Sequence, residues 1–394
     1  MGGGGSSGDV SATGGITSPA GGSGGDGGTV GSGGSAGGGG AMATGGAKST
    51  AAAAASGGTT NATGGASSAG GTNLTGGTTG QVATEAGDAS VAIPGPASFH
   101  CVNWADERDN FVNGLLQPSG LSSGTDTYAT VEATAGAVLS GFQTVLGANG
   151  IRIPINEPTV SGSWWNAYKG IIDTAVAKNI RVIVAYWAWH NGKPDSTTAY
   201  DAMWQTVVTD YASNDLVFFD IHNEPYGFST AAWIDFAAAW LALFPDLPKD
   251  RVIIAGSGYD QNVAAVAADS RIDGCLLSLH TYTMFNTSTT PAGWEAIVSS
   301  GVGSYSARTI ATEWGNAMTT GATYSATGTG TNDQAYMAGV PNELRTLGMG
   351  SCYWPGLRIG DPWSITTMNG TGANITLTVT NTSGLDRIHS AWGM

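Results

Sequence analysis

Two glutamates in this chain each close a short apolar run, and together they define a chemistry. The run 217–226 reads Val-Phe-Phe-Asp-Ile-His-Asn-Glu-Pro-Tyr. Its apolar positions suit a strand buried on both faces, and Pro225 cannot donate to a ladder, so the strand should stop with Glu224 at its C-terminal mouth. Further on, Arg308-Thr-Ile-Ala-Thr-Glu-Trp-Gly carries Glu313 on another short strand closed by Gly315. Two carboxyls at the same end of two parallel strands are what cleavage of a glycosidic bond requires, one as proton donor and one as nucleophile.

The elements that must position this pair are legible from hydrophobic periodicity. Strands are expected over 98–104, 150–155, 180–186, 216–222, 251–255, 274–279, 309–312 and 350–354, with helices over 131–146, 165–178, 198–211, 230–244, 261–268, 291–300, 331–347 and 385–392. Eight such alternations imply a (β/α)8 TIM barrel, in which chemistry sits on the loops after the strands' C-terminal ends. Residues 365–380 alternate apolar and polar side chains around Gly370 and Gly372 and read as a β-hairpin before the last helix. Cys101 and Cys352 fall on the first and last strands, neighbours in a closed barrel, and are either bonded or two buried thiols; Cys275 is the third cysteine.

Taken in strand order, the residues that converge on the mouth are Arg152, the segment Tyr186-Trp-Ala-Trp-His190, Asn223-Glu224-Pro225, His280-Thr-Tyr282, Glu313 and Trp354. This ordered set resembles family 5 of the glycoside hydrolases, the cellulase-type barrels of clan A, over residues 95–394. The resemblance implies that Glu224 is the general acid/base and Glu313 the nucleophile of a retaining double displacement. It implies that Arg152, His280 and Tyr282 hold Glu313 ionised, that Asn223 meets the sugar 2-hydroxyl, and that Trp354 forms the floor beneath the cleaved sugar. His190 occupies the place of the family's histidine after strand 3, although the Trp-Ala-Trp-His spacing leaves its register open. A second Asn-Glu-Pro, Asn156-Glu157-Pro158, follows strand 2 and is expected to be a loop feature.

Trp104, Trp164, Trp165, Trp187, Trp189 and Tyr226 are expected in loops at the same mouth, where aromatic faces could bind successive sugars; Trp104 and Trp187 are counted among the expected substrate contacts. The implied substrate is a neutral β-linked polysaccharide, foremost β-1,4-glucan, cut internally. Mannan or another glycan, an exo-acting glycosidase, or a non-catalytic polysaccharide-binding barrel are the alternatives.

Composition divides the chain in two. Residues 1–92 hold no Phe, Tyr or Trp and are dominated by Gly, Ser, Thr and Ala, so they are expected to form a disordered tether; residues 93–394 form the catalytic domain. A Gly/Ser coil of that length spans on the order of 50 Å. The net charge of −15, little of it from the tether, argues against nucleic acid as a partner. No apolar stretch is long enough to span a bilayer and no signal peptide is visible. A tether of this kind points to a secreted or surface-anchored monomer, and no zinc spacing, calcium loop or phosphate loop calls for a metal or cofactor.

Overall fold

The computed structural model describes residues 95–324 and 327–394; the expected tether lies outside the described residues. Eight parallel strands close into a barrel in sequence order: β1 (His100–Trp104), β2 (Gly150–Ile155), β3 (Arg181–Tyr186), β4 (Val217–Asp220), β5 (Val252–Ala255), β6 (Leu276–Thr281), β7 (Thr309–Trp314) and β8 (Gly350–Leu357). Closure is made by β1 on β8, with Cys101 paired to Cys352 in register and joined to it by a disulfide, while Cys275 is free and buried.

These strands are buried along nearly their whole length, as expected where helices cover the outside and side chains fill the inside. The period of two sorts them. Ile151, Ile153, Val182, Val184, Phe219 and Leu277 face the helices, whereas Phe99, Cys101, Ile183, Phe218, Ile253, Leu276, Ile310 and Cys352 form a separate apolar plug inside the barrel. Further along the same inward rows come Asn103, Arg152, Asp220, Ser278, His280 and Thr312, all buried. The lumen is therefore apolar at its floor and polar at its C-terminal rim, which is where the barrel delivers chemistry.

Helices at Tyr128–Gly141, Trp164–Ala177, Thr197–Tyr211, Thr230–Leu243, Pro291–Val302, Asn332–Thr346 and Thr382–Trp392 lie near the expected positions. Several start on a side-chain cap that accepts from a first-turn N–H: Thr127, Ser196, Ser229, Thr290, Thr331 and Asn381. The first helix ends in a π-turn over Phe142–Leu146, and the helix after β5 is one short turn, Val263–Ala267. The hairpin is β9 (Thr366–Asn369) against β10 (Thr376–Val379), antiparallel. Strand β4 is shorter than its apolar run, because the chain turns at Ile221–Asn223; β7 instead continues through Glu313 to Trp314. Among the described residues, no helix is long and apolar enough to cross a membrane.

Candidate active site

Glu224 sits just beyond β4 with a left-handed backbone, φ +50°, a conformation that costs a non-glycine residue of order 1 kcal/mol or more and persists only when the surroundings enforce it. Its N–H donates to Asp260 Oδ1 at 3.1 Å. Glu313 is carried by β7 itself, and Gly315 ends that strand where any Cβ would collide with the Trp354 carbonyl oxygen. The carboxylates of Glu224 and Glu313 and the ring of His280 approach so closely that one ligating atom from each lies within 4.8 Å of the others.

Arg152 organises the floor of the site. Fully buried on β2, its guanidinium donates to Asp220 at 2.9 Å, Glu313 at 2.5 Å, Asn223 Oδ1 at 2.6 Å and Asn103 Oδ1 at 3.1 Å. Tyr282 donates its hydroxyl to the other Glu313 oxygen at 2.8 Å. Arg152 and Tyr282 thus both donate to Glu313, one to each carboxyl oxygen. His280 lies between the two glutamates: its Nδ1 is 3.1 Å from Glu224 Oε1, its hydrogen-bond partner, and 3.7 Å from Glu313 Oε2, on which it acts through charge. Asn223 spends its carbonyl oxygen on Arg152, which leaves its buried amide nitrogen without a partner and free to donate to a ligand.

Burial raises both carboxyls. Glu224 is pushed up to about 7 by desolvation, against the smaller opposing pull of the Arg152 charge. Glu313 is also raised by burial, but His280, Arg152 and the Tyr282 hydroxyl oppose the rise and favour its carboxylate. Environment thereby sets two identical side chains apart: burial acts on both, and Glu313 has more neighbours that favour its charged form. Burial lowers His280 to about 4, so its ring is neutral at neutral pH.

Above the carboxylates opens a cleft of about 320 Å³, lined by Phe111, Trp187, Met284, Trp354, Asp361 and Trp363 among others. Trp354 and Trp187 stack with centroids 5.5 Å apart, so both expected residues do reach the cleft wall. Trp104 does not. It has no exposed surface, packs edge-on against Phe142, and donates its indole N–H to Ser119 O, because the segment 105–121 folds over it. Trp164 and Trp165 are likewise buried on their helix, bonded to Leu116 O and Asp210. His190 is half-buried on the loop after β3, against Trp189 and 3.6 Å from Asp195, and contacts neither glutamate. Tyr226 stacks on Tyr259, itself stacked on Phe285. In the second Asn-Glu-Pro, Asn156 caps the turn Glu157–Ser161 and Glu157 accepts from Tyr186, a structural role.

Sequence reasoning missed Asn103, Asp220, Asp260 and Trp363. An aspartate ending Val-Phe-Phe-Asp on a buried strand was a usable signal, since an acid there needs a buried cation and Arg152 is one. Trp363 belongs to the loop between β8 and the hairpin, and nothing in its surroundings marks it.

The sequence matches the family model described as Cellulase (glycosyl hydrolase family 5) over residues 122–355, more than half of the chain. The chain belongs to glycosyl hydrolase family 5. No curated protein sequence matches it. Its fold is similar to that of the catalytic domain of the major endoglucanase from Xanthomonas campestris pv. campestris, with 16% identity, TM-score 0.55 and coverage of 75% of this chain and 95% of that one. It is also similar to Cel5A (EG2) from Hypocrea jecorina, with 14% identity, TM-score 0.53 and coverage of 75% and 98%. The endocellulase from Pyrococcus horikoshii, solved with cellotetraose, gives 14% identity, TM-score 0.54 and coverage of 75% and 92%. Identities this low speak for the barrel; the family membership and the geometry above carry the glycoside hydrolase assignment.

Proposed function

We propose that this family 5 glycoside hydrolase is a retaining endo-β-1,4-glucanase, with Glu224 as acid/base and Glu313 as nucleophile. The observation that carries the reading is the closeness of the two carboxylates, within 4.8 Å through their nearest ligating atoms. Inverting enzymes need a gap of roughly 6.5–9.5 Å for a water, and retaining ones only about 5–5.5 Å. In the first step Glu224, protonated near neutrality, gives its proton to the leaving oxygen while Glu313 attacks the anomeric carbon. In the second, the Glu224 carboxylate takes a proton from water, which displaces Glu313 and restores the starting stereochemistry. Arg152 and Tyr282 keep Glu313 ionised for the attack, and the unpartnered Asn223 amide is placed to meet a sugar hydroxyl.

A neutral glycan suits a cleft walled by Trp187, Trp354, Trp363 and Phe111, whose flat apolar faces match the C–H faces of a pyranose. The cleft is open rather than enclosed, which favours internal attack on a polymer. The Cys101–Cys352 disulfide supports action in an oxidising compartment, and with it a secreted or surface-tethered enzyme. The test is a reducing-end assay over β-glucans, mannans and xylans, with Glu313→Gln as control and NMR of the first-formed anomer. Initial α-anomer, or turnover of mannan in preference to β-1,4-glucan, would refute the corresponding part.

A further inference from the structure

Asp260 lies on the loop after β5 and is completely buried, with a left-handed backbone of φ +55°. Two of the four non-glycine residues in that region among the described residues, Glu224 and Asp260, are joined by the Glu224 N–H to Asp260 Oδ1 bond. The second Asp260 oxygen lies 3.4 Å from His280 Nε2 and, through the shorter contacts of two hydroxyls, begins a line of hydrogen bonds back to Glu224. Oδ2 is 2.5 Å from Ser278 Oγ, Ser278 Oγ touches Thr312 Oγ1, Thr312 Oγ1 is 3.1 Å from His280 Nε2, and His280 Nδ1 is 3.1 Å from Glu224 Oε1.

Hydrogens can be counted along this line. The three contacts from Asp260 to His280 need three hydrogens, and the two hydroxyls supply only two. The third comes from one end. Either Asp260 is protonated and every donor points toward His280, which then carries its hydrogen on Nδ1, or His280 carries it on Nε2 and every donor points toward an Asp260 carboxylate. With neither hydrogen present, the Ser278–Thr312 contact would set two lone pairs against each other. The charge state of Asp260 and the tautomer of His280 are therefore one variable. The groups facing Asp260 are Glu224 and Asp220 from β4 and its end, His280 from β6, and Arg152 from β2, whose charge is already shared between Asp220 and Glu313. Burial, then the Asp220 carboxylate, push the Asp260 carboxyl well above the ordinary range.

Resting on the reading of Glu224 as the acid, we propose that Asp260 is a positioning residue: as a neutral carboxyl it directs hydrogen bonds through Ser278 and Thr312 and fixes His280 as the Nδ1–H tautomer. His280 then donates to Glu224 Oε1, and the acid's proton is left on Oε2, free for the leaving oxygen. In the opposite tautomer Nδ1 would accept that proton and turn it away from substrate.

The inference can be tested without turnover. With ¹⁵N-labelled histidine, the five histidines of the chain give a small set of ring resonances, and that of His280 is assigned by its absence from His280→Gln. The expected result between pH 5 and 7 is the Nδ1–H pattern; an Nε2–H pattern would overturn the proposal even if the enzyme proved active on every glucan tried. Kinetics gives an independent reading. Asp260→Asn keeps an oxygen for the Glu224 N–H and puts a permanent donor toward Ser278, so kcat should stay within about threefold of wild type. Ser278→Ala cuts the chain and should lower kcat about tenfold with KM little changed, the loss of one hydrogen bond to a reacting group, and move the basic limb of the pH profile upward because Glu224 loses a donor to its carboxylate. A loss in Asp260→Asn as large as in Ser278→Ala would show a charged Asp260 and refute the assignment. If Asp260→Asn does not fold, the wild-type spectrum decides. Absence of activity on all glycans together with the Nδ1–H pattern would fault the proposed function and leave the chain standing.

Discussion

Replacing Glu224 by Gln should change how stability depends on pH, in a direction opposite to the usual behaviour of carboxylates. The folded Glu224 carboxyl is held at about 7 by burial, against an ordinary value of 4.5. Because the folded value is the higher one, the native protein binds more protons than the unfolded chain between about pH 4.5 and pH 7. The stabilisation is fully present below the lower value and disappears as pH rises through the upper one. Two and a half units at 1.36 kcal/mol each give about 3.4 kcal/mol. A domain of some 300 residues has an unfolding entropy near 0.6 kcal/mol/K, so the difference corresponds to about 5 °C in Tm. The assay is thermal unfolding of wild type and Glu224→Gln in matched buffers from pH 4.5 to 8.5. Glu224→Gln should gain on wild type by about 5 °C across this range, because the amide never ionises. Contributions from Glu313 and Asp260, also raised by burial, are shared by both proteins and cancel to first order. Parallel Tm curves, or a Gln variant that loses ground as pH rises, would refute the placement of Glu224 as a desolvated proton carrier.

Arg152→Lys keeps a charge but cannot span Asp220, Glu313 and Asn223 at once; kcat/KM should fall on the order of 10²-fold, with the acid limb moved to higher pH because Glu313 is harder to ionise, read from pH–rate profiles. Glu157→Gln keeps an oxygen to accept from Tyr186 and should leave kcat within about twofold, measured by activity. Abolished turnover there would show that the wrong Asn-Glu-Pro had been chosen. Reducing the Cys101–Cys352 bond, which closes a loop of 251 residues, should lower stability by about 2–5 kcal/mol, seen as a lower Tm with reductant than without.

Sequence alone determined the barrel and its acid pair, because both are written in local patterns. Strand positions follow from short buried apolar runs. The site follows from where those runs end, so Glu224, Glu313, Arg152, Asn223, Tyr282 and Trp354 were legible from strand order. What it could not determine was where side chains look once loops have folded. Trp104 stands at a strand end like Trp354, yet segment 105–121 covers it and gives its N–H a partner, while Trp187 lies against the cleft. That His280 also serves Glu224 was not legible, because its ring lies between the two glutamates and a difference of 0.6 Å decides which one takes its hydrogen bond. Asp260 carries no local mark at all. Its hydrogen-bond partners come from the end of β4 and from β6, and only barrel closure brings them together, since hydrogen bonds act over about 3 Å while the chain separates them from Asp260 by 36 and 18 positions.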